Sequence, residues 1–388
     1  MTFTRASILT WLRDVFLPSS NISSVLNTSK VLFHPHHLPF RINKEQFVTT
    51  NSRKWAQVTP PLAILLHLAV TVKWILDQWL KPENPAFPIW KIVVMYYCAT
   101  AFSAMLVFLA QLTFLKEEAV QLLNSTIQVE KDLIVKGVQT VHIRYIGFIA
   151  ITKIIFISMP IIPFTFAFLQ PCTPPVVTSV ILLECESWND GGNTAVLMRL
   201  WPAALLSFAD AILSATVVFT MVVLTTLLVN VVGYVLGNLN KGGQNIYKSL
   251  RAYRTLQMLS AMHNSVVTQP LMPTLVGCGT MCESFPLYIL ITSTSLVPVP
   301  ALIMFAIVAA EIFGVIIGPL KMMASLYVES SELLKSLRRM NGSKWVKRYV
   351  RSCPRSKLTL GGGRFFDRGT SLEICSMCVD ILITFLLM

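Results

Sequence analysis

Seven stretches of this 388-residue chain are apolar for long enough to cross a bilayer as helix, at roughly 56–78, 90–115, 145–169, 200–237, 274–296, 300–320 and 371–388. A hydrocarbon core about 30 Å thick needs about 20 such residues in helical form. Inside lipid every backbone polar group must find its partner within the protein, which leaves helices or closed barrels. Runs of this length and number specify helices. Composition agrees: 54% of residues are hydrophobic and 13% are charged, against about 25% charged in soluble domains. The fold class read from the sequence is an all-α membrane protein with seven transmembrane helices.

Lys and Arg gather on the inner side of a membrane, so the segments between the runs set the orientation. The first 54 residues hold seven basic residues, 238–273 holds Lys241, Lys248, Arg251 and Arg254, and 321–370 holds twelve. Segment 116–144 is mixed, and 170–198 has no Lys or Arg but carries Glu184, Glu186 and Asp190. All basic segments fall on one side when the chain starts inside and crosses seven times. The expectation is therefore a cytoplasmic N-terminus, an extracellular C-terminus, and four regions. Residues 1–55 form a cytoplasmic segment, with MTFTRASILTWLRDVFLPSS as a surface-lying amphipathic helix rather than a signal peptide. Residues 56–320 form a six-helix bundle with cytoplasmic helical extensions, 321–370 a basic cytoplasmic segment, and 371–388 the last transmembrane helix. The net charge of +13 belongs to these loops, and no long soluble basic domain is present to bind nucleic acid.

The fourth run is too long for one crossing, roughly 57 Å at about 1.5 Å per residue. The sixth continues in KMMASLYVESSELLKSLRRM, where Leu326, Leu333, Leu334 and Leu337 share one helical side, and 116–137 is also helical in pattern. These pieces are expected to pack together beside the membrane. No internal repeat is visible, so an inverted-repeat transporter finds no support.

Polar groups within the apolar runs are the functional candidates. An ionisable group in a span costs a few kcal/mol, roughly 2.5–3.5 on insertion scales, and usually faces a cavity or a partner. Lys153, Asp210, Glu283 and Glu311 lie deep in their runs. Either they form ion pairs, such as Lys153 with Glu311 or Glu283, or they border a ligand or water cavity. In the last run, Glu373, Ser376, Asp380 and Thr384 fall within about 80° on a helical wheel, opposite Ile374, Ile381 and Phe385. Such a stripe suits a helix lining a water-filled path, with Leu387 at its end, or alternatively a hydrogen-bonded packing seam. One helix cannot enclose a pore, so the first reading requires a cyclic oligomer. Tyr97, Phe208, Tyr288 and Phe305, with Asp210, are candidates for a pocket that takes a small apolar ligand; Trp90 and Trp201 fit an interfacial belt.

The eight cysteines form no zinc or disulfide framework. Cys278-x-x-x-Cys282 and Cys375-x-x-Cys378 sit in apolar runs as packing residues, whereas Cys172 and Cys185 lie in the segment placed outside, where a disulfide can form. Four N-x-Ser/Thr sequons, at Asn21, Asn27, Asn124 and Asn341, all fall in segments placed inside. His142 and His263 are isolated and HPHH at 34–37 has no paired ligands, so no enzyme constellation, metal site or cofactor is expected.

This layout resembles the arthropod gustatory and odorant receptor superfamily. The specific likeness is at the end of the chain, where a basic segment leads through Leu360-Gly361-Gly362-Gly363-Arg364-Phe365-Phe366 and Ser371-Leu372 into the last helix. The family's TYhhhhhQF signature aligns with Val379 to Leu387; the Thr-Tyr pair and the Gln are absent, Leu386 standing where the Gln would be. It looks like a divergent member, such as one from the expanded receptors of a basal hexapod. The resemblance implies a multi-pass plasma-membrane receptor on chemosensory neurons, assembled as a homo- or hetero-tetramer. It further implies that the last helices line a central non-selective cation pore, that the cytoplasmic helix ends meet between subunits, and that a small tastant or odorant binds in the outer half of each bundle. Asp380 would supply pore polarity in place of the Gln. The competing expectations are a seven-helix receptor signalling through a cytoplasmic partner, by way of 321–370, and a small-molecule transporter.

Overall fold

The computed structural model describes residues 21–33, 38–50, 54–80, 89–135, 143–169, 171–172, 176, 196–226, 228–229, 231–232, 246–292, 297, 299–339 and 343–387. The N-terminal amphipathic stretch, HPHH, Cys185 and Asn341 lie outside them. Helices account for nearly all of the structure. They are α1 (Asn21–Leu32), α2 (Lys54–Leu80), α3 (Ile89–Phe114), α4 (Lys116–Val135), α5 (Ile143–Leu169), α6 (Val196–Val218), α7 (Ile246–Val267), α8 (Leu271–Thr292), α9 (Val299–Val315), α10 (Lys321–Arg339), α11 (Lys344–Ser352) and α12 (Thr370–Leu387). Two small antiparallel hairpins complete it: β1 (Phe40–Asn43) with β2 (Gln46–Thr49), and β3 (Thr359–Gly361) with β4 (Arg364–Phe365).

Among the described residues six helices are long and apolar enough to cross a membrane: α2, α3, α6, α8, the α9–α10 rod and α12. The 27-residue α5 adds an apolar stretch at Ser158–Leu169. This is the all-α membrane fold expected from the apolar runs. Helix α6 continues in wider, π-type turns over Phe219–Thr226, and α9 joins α10 through similar turns over Ile316–Leu320. The α9–α10 rod is thus continuous from Val299 to Arg339, about 60 Å at 1.5 Å per residue, or twice a hydrocarbon core. Its second half carries the charge, and there Leu326, Leu333, Leu334 and Leu337 are all buried. Helix α7 falls inside the basic segment 238–273, which the apolar pattern leaves unassigned. Its Tyr253, Leu256 and Leu259 are buried on one face, so its periodicity is amphipathic rather than apolar.

Helices α1, α4, α7, α10 and α11 pack with the π-type segment of α6 and with the first hairpin into a polar end of the molecule. Side-chain-to-backbone hydrogen bonds join parts far apart in sequence there. Asn124 donates to the Phe47 carbonyl (2.8 Å) and accepts from the Phe47 amide (2.9 Å), pinning β2 onto α4. That sequon asparagine is therefore committed to the fold. Lys131 reaches Glu45 in the hairpin turn at 2.9 Å. Tyr253 and Gln257 of α7 both donate to the Pro354 carbonyl, and Asn264 bonds to the backbone of Lys357 and Thr359. Phe33, Phe40, Phe47 and Phe219 gather around the hairpin, with Phe40 and Phe219 stacked at 4.8 Å.

The other half of the molecule is a looser bundle. Helix α8 is at its centre, packed on α3, α9 and α12, while α5 lies along α6 and α2 along α3. A smaller aromatic core closes the far end, with Trp90, Phe285, Tyr288 and Phe305 buried together.

The turn into α12 explains the three successive glycines. Gly361, Gly362 and Gly363 have φ of 111°, 58° and 80°, a left-handed region where only glycine is free of strain. At Gly361 a β-carbon would also come within 2.7 Å of Pro273 Cγ, at the start of α8. Asp367 then starts α12: its carboxylate accepts from the Gly369 amide and the Thr370 hydroxyl. An acid at a helix N-terminus meets the positive end of the helix dipole.

Candidate functional site

Two features stand out, a cavity inside the bundle and the outer face of α12. The cavity holds about 530 Å³ and is bounded by α3, α5, α6, α8 and α9, with Ile374 of α12 at its edge. Its walls are mainly apolar. Tyr97, Asp210, Phe305 and Glu311 line it together, and the Tyr97 and Phe305 rings meet edge-on at 6.1 Å.

Other candidates fall elsewhere. Phe208 is half-buried against the main core and Tyr288 packs edge-on to Phe385 of α12 at 6.1 Å; neither borders the cavity. Lys153 and Glu283 also stand outside its lining. The expected ion pairs of Lys153 with Glu283 or Glu311 do not form; the ion pairs among the described residues are Lys131–Glu45 and Arg368–Glu332. Instead Oε2 of Glu283 and Oε2 of Glu311 are each buried without a hydrogen-bond partner. Trp90, expected in an interfacial belt, is buried and lines the cavity, while Trp201 is exposed.

Sequence reasoning missed Cys98, Cys278 and Cys282 as cavity-wall residues. The latter two sulfurs lie 3.5 Å apart on successive turns of α8. The signal was present in the small residues of GCGTMC and in Gly314. A β-carbon at Gly279 or Gly314 would meet nothing within 4 Å, and both positions border the cavity. Glycines within apolar helices that touch no neighbour leave open space.

Helix α12 is attached along one side only. Ile374 and Cys378 are buried, Phe385 stacks on Phe285 of α8 at 5.2 Å, and Ser284 of α8 donates to the Cys378 carbonyl at 3.0 Å. Glu373, Ser376, Asp380, Thr384 and Leu387 are all exposed. At about 100° per residue their stripe is centred about 140° from the buried side, so it faces away from the chain's own bundle. It forms no packing seam within the chain; Thr384 donates only to the Asp380 carbonyl one turn earlier. Just 17% of α12 is buried, against 50% of the apolar stretch of α8. An opening at the foot of α12 is bordered by Arg364, Asp367, Glu373 and Ser376. Cys172 is disulfide-bonded, and the cysteines that line the cavity are free.

No family model and no curated protein matches the sequence. Among solved structures, the insect olfactory receptor OR5 from Machilis hrabei superposes with a TM-score of 0.58 at 13% identity, over 98% of this chain and 98% of that one. The same receptor in complex with eugenol superposes with a TM-score of 0.61 at 14% identity, over 93% of this chain and 97% of that one. At such identity the likeness is one of fold, and it spans the chain from the polar end through α12: this is a multi-pass membrane protein with the all-α architecture of an insect olfactory receptor.

Proposed function

We propose that the chain is a chemosensory receptor, of gustatory or odorant type, that works as a ligand-gated, non-selective cation channel. On this reading it is a divergent member of the arthropod gustatory and odorant receptor superfamily, located in the plasma membrane with its polar end in the cytoplasm. The observation that carries the reading is the stripe of Glu373, Ser376, Asp380 and Thr384, exposed on the side of α12 away from the bundle. Acids on a lipid-facing helix surface are costly. Four copies of the chain around an axis would turn these stripes toward one another and give them water and cations. The shared fold and the one-sided attachment of α12 both support this arrangement.

The cavity is then the ligand site, its 530 Å³ falling in the range of small-molecule pockets, about 300–1,000 Å³. Ile374 borders the cavity from the buried side of α12. A ligand that fills the cavity thus acts on the same helix that carries the pore stripe. It opens the channel to the extent that it binds the open arrangement more tightly than the closed one. On this reading the disulfide-bonded Cys172 lies on the extracellular side.

The test is expression in cells without endogenous chemoreceptors, with a panel of tastants and odorants read as cation current. A ligand-evoked, reversible current supports the channel. Stoichiometric substrate uptake without current turns the reading to a transporter, and an N-terminal epitope reached from outside turns it to a receptor coupled to a cytoplasmic partner.

A further inference from the structure

The cavity carries a chemical signature that its size alone does not. Two carboxylates border it, Asp210 from α6 and Glu311 from α9, and no Lys, Arg or His does so among the described residues. Among the described residues neither acid has an ion-pair partner, and Oε2 of Glu311 is buried without a hydrogen bond. Helices α6 and α9 run the same way, toward the polar end. Asp210 lies about 21 Å along α6 and Glu311 about 18 Å along α9 at 1.5 Å per residue, each near the middle of its own apolar stretch. Nearer the far end, at about 9–12 Å, Tyr97 and Phe305 meet edge-on, with Trp90 beyond them. The cavity therefore has aromatic side chains toward one end and a carboxylate on each of two walls, from α6 and from α9.

We infer that the ligand is an organic amine with an aromatic or aliphatic body, bound as the cation, its ammonium group beside Asp210 and Glu311 and its body among Tyr97, Phe305 and Trp90. A buried carboxylate without a partner is unfavourable as an ion, and a bound ammonium supplies both the countercharge and the missing hydrogen-bond donors. Among the described residues no cation stands at this place: Lys153 makes no ion pair with them and stands outside the cavity lining. Aromatic faces add to the attraction of a desolvated cation. A carboxylate ligand would meet like charge, and a neutral alcohol would leave a carboxylate uncompensated. The inference rests on the cavity being the ligand site, and it does not require that binding open a pore.

The experiment compares three probes with the same 2-phenylethyl body, 2-phenylethylamine, 2-phenylethanol and 3-phenylpropanoate, on the purified full-length protein in lipid nanodiscs at neutral pH. Binding is read as quenching of tryptophan fluorescence and as thermal stabilisation, independently of any current. The amine is expected to bind at least tenfold more tightly than the alcohol, and the propanoate most weakly. Glu311→Gln and Asp210→Asn should each weaken the amine by tenfold or more and leave the alcohol within threefold, the retained alcohol binding showing that the cavity is intact. Equal affinity for amine and alcohol overturns the inference, as does amine binding that survives both cavity substitutions, or binding of none of the probes. Amine binding without current would overturn the channel reading and leave this inference standing.

Discussion

The two halves of the molecule are held together by different means. At the polar end, far-separated segments are tied by directed hydrogen bonds: Asn124 to Phe47, Asn264 to Lys357 and Thr359, and Tyr253 with Gln257 to Pro354. Around them Leu122, Leu256, Leu326 and Leu333 form a continuous buried core. In the apolar half such ties are sparse, Ser207 to the Pro160 carbonyl and Ser284 to the Cys378 carbonyl being examples between helices. Helices there meet around a cavity of about 530 Å³. In lipid, helix association gains little from hydrophobic burial and depends on packing and a few polar contacts. The polar end thus resembles the interior of a soluble protein and fixes where the spans emerge. The apolar half is held mainly by side-chain packing around its cavity. Substitutions of like kind should therefore have unlike effects at the two ends.

The largest expected effect is at the turn that leads into α12. Gly361→Ala places a β-carbon at a φ of 111° and within 2.7 Å of Pro273 Cγ. Left-handed strain and overpacking together should cost about 3 kcal/mol. Thermal melts of the detergent-solubilised protein should show a large drop, and a melting temperature within a degree of the parent would remove the structural reason for the glycine triplet.

Protonation of the polar end comes next. His263 of α7 is 2% exposed, and burial lowers its pKa from 6.5 to about 4. Between those values the unfolded chain binds a proton that the folded chain refuses. Stability should fall as pH drops through 6.5 and level off below about 4, with a total loss of about 3 kcal/mol. Melting temperatures across that range, with His263→Phe as the control lacking the titrating group, should show the dependence flatten. An unaltered pH profile in the variant would mean that other groups carry it.

A hydrogen-bond deletion ranks third. Asn124→Ala leaves the amide and carbonyl of Phe47 without their partners, at a cost of about 2 kcal/mol. Detachment of the first hairpin should appear as faster proteolysis near residues 40–49, and equal protection in the variant would count against the tie.

Much of this division is legible in the sequence, and the parts that are not share a cause. The spans follow from apolar run length, and Leu326, Leu333, Leu334 and Leu337 follow from helical period, because both depend on neighbours along the chain. The α12 stripe is read the same way. Cavity walls are different, since five helices contribute to them. Tyr97, Asp210, Phe305 and Glu311 are found as aromatic or acidic residues deep in runs, but Phe208 and Tyr288 have the same description and pack elsewhere. Cys278 and Cys282 read as packing residues because the small residues around them signal open space without saying which helices enclose it. The glycine triplet announces a turn, yet the need for glycine at 361 comes from Pro273, which lies 88 residues earlier.

A glycine in the apolar half supplies the contrast to Gly361. At Gly314 in the cavity wall, a β-carbon meets nothing within 4 Å. Gly314→Ala should leave the melting temperature unchanged or raise it slightly, since alanine favours helix over glycine by up to about 1 kcal/mol. A loss comparable to that of Gly361→Ala would show the apolar half to be as tightly fitted as the polar end, and the comparison between the halves would fail.

The smallest effect on stability and the sharpest on function should fall at Asp380. Its side chain is exposed on the outer side of α12, and only its backbone carbonyl is used, by Thr384. Replacement by asparagine keeps the shape and removes the charge, so stability should change by no more than about 0.5 kcal/mol. If the stripes face one another around an axis, several copies of that charge disappear from one path at once. Single-channel conductance for monovalent cations should then fall and the preference for cations over anions weaken, while the ligand concentration for half-activation stays within about threefold. Glu373→Gln, about 10 Å away along the helix, should act in the same direction and more weakly, because it stands at the opening that Arg364 and Asp367 also border. Unchanged permeation in both variants would take the pore off this face of α12 and leave its acids without a function.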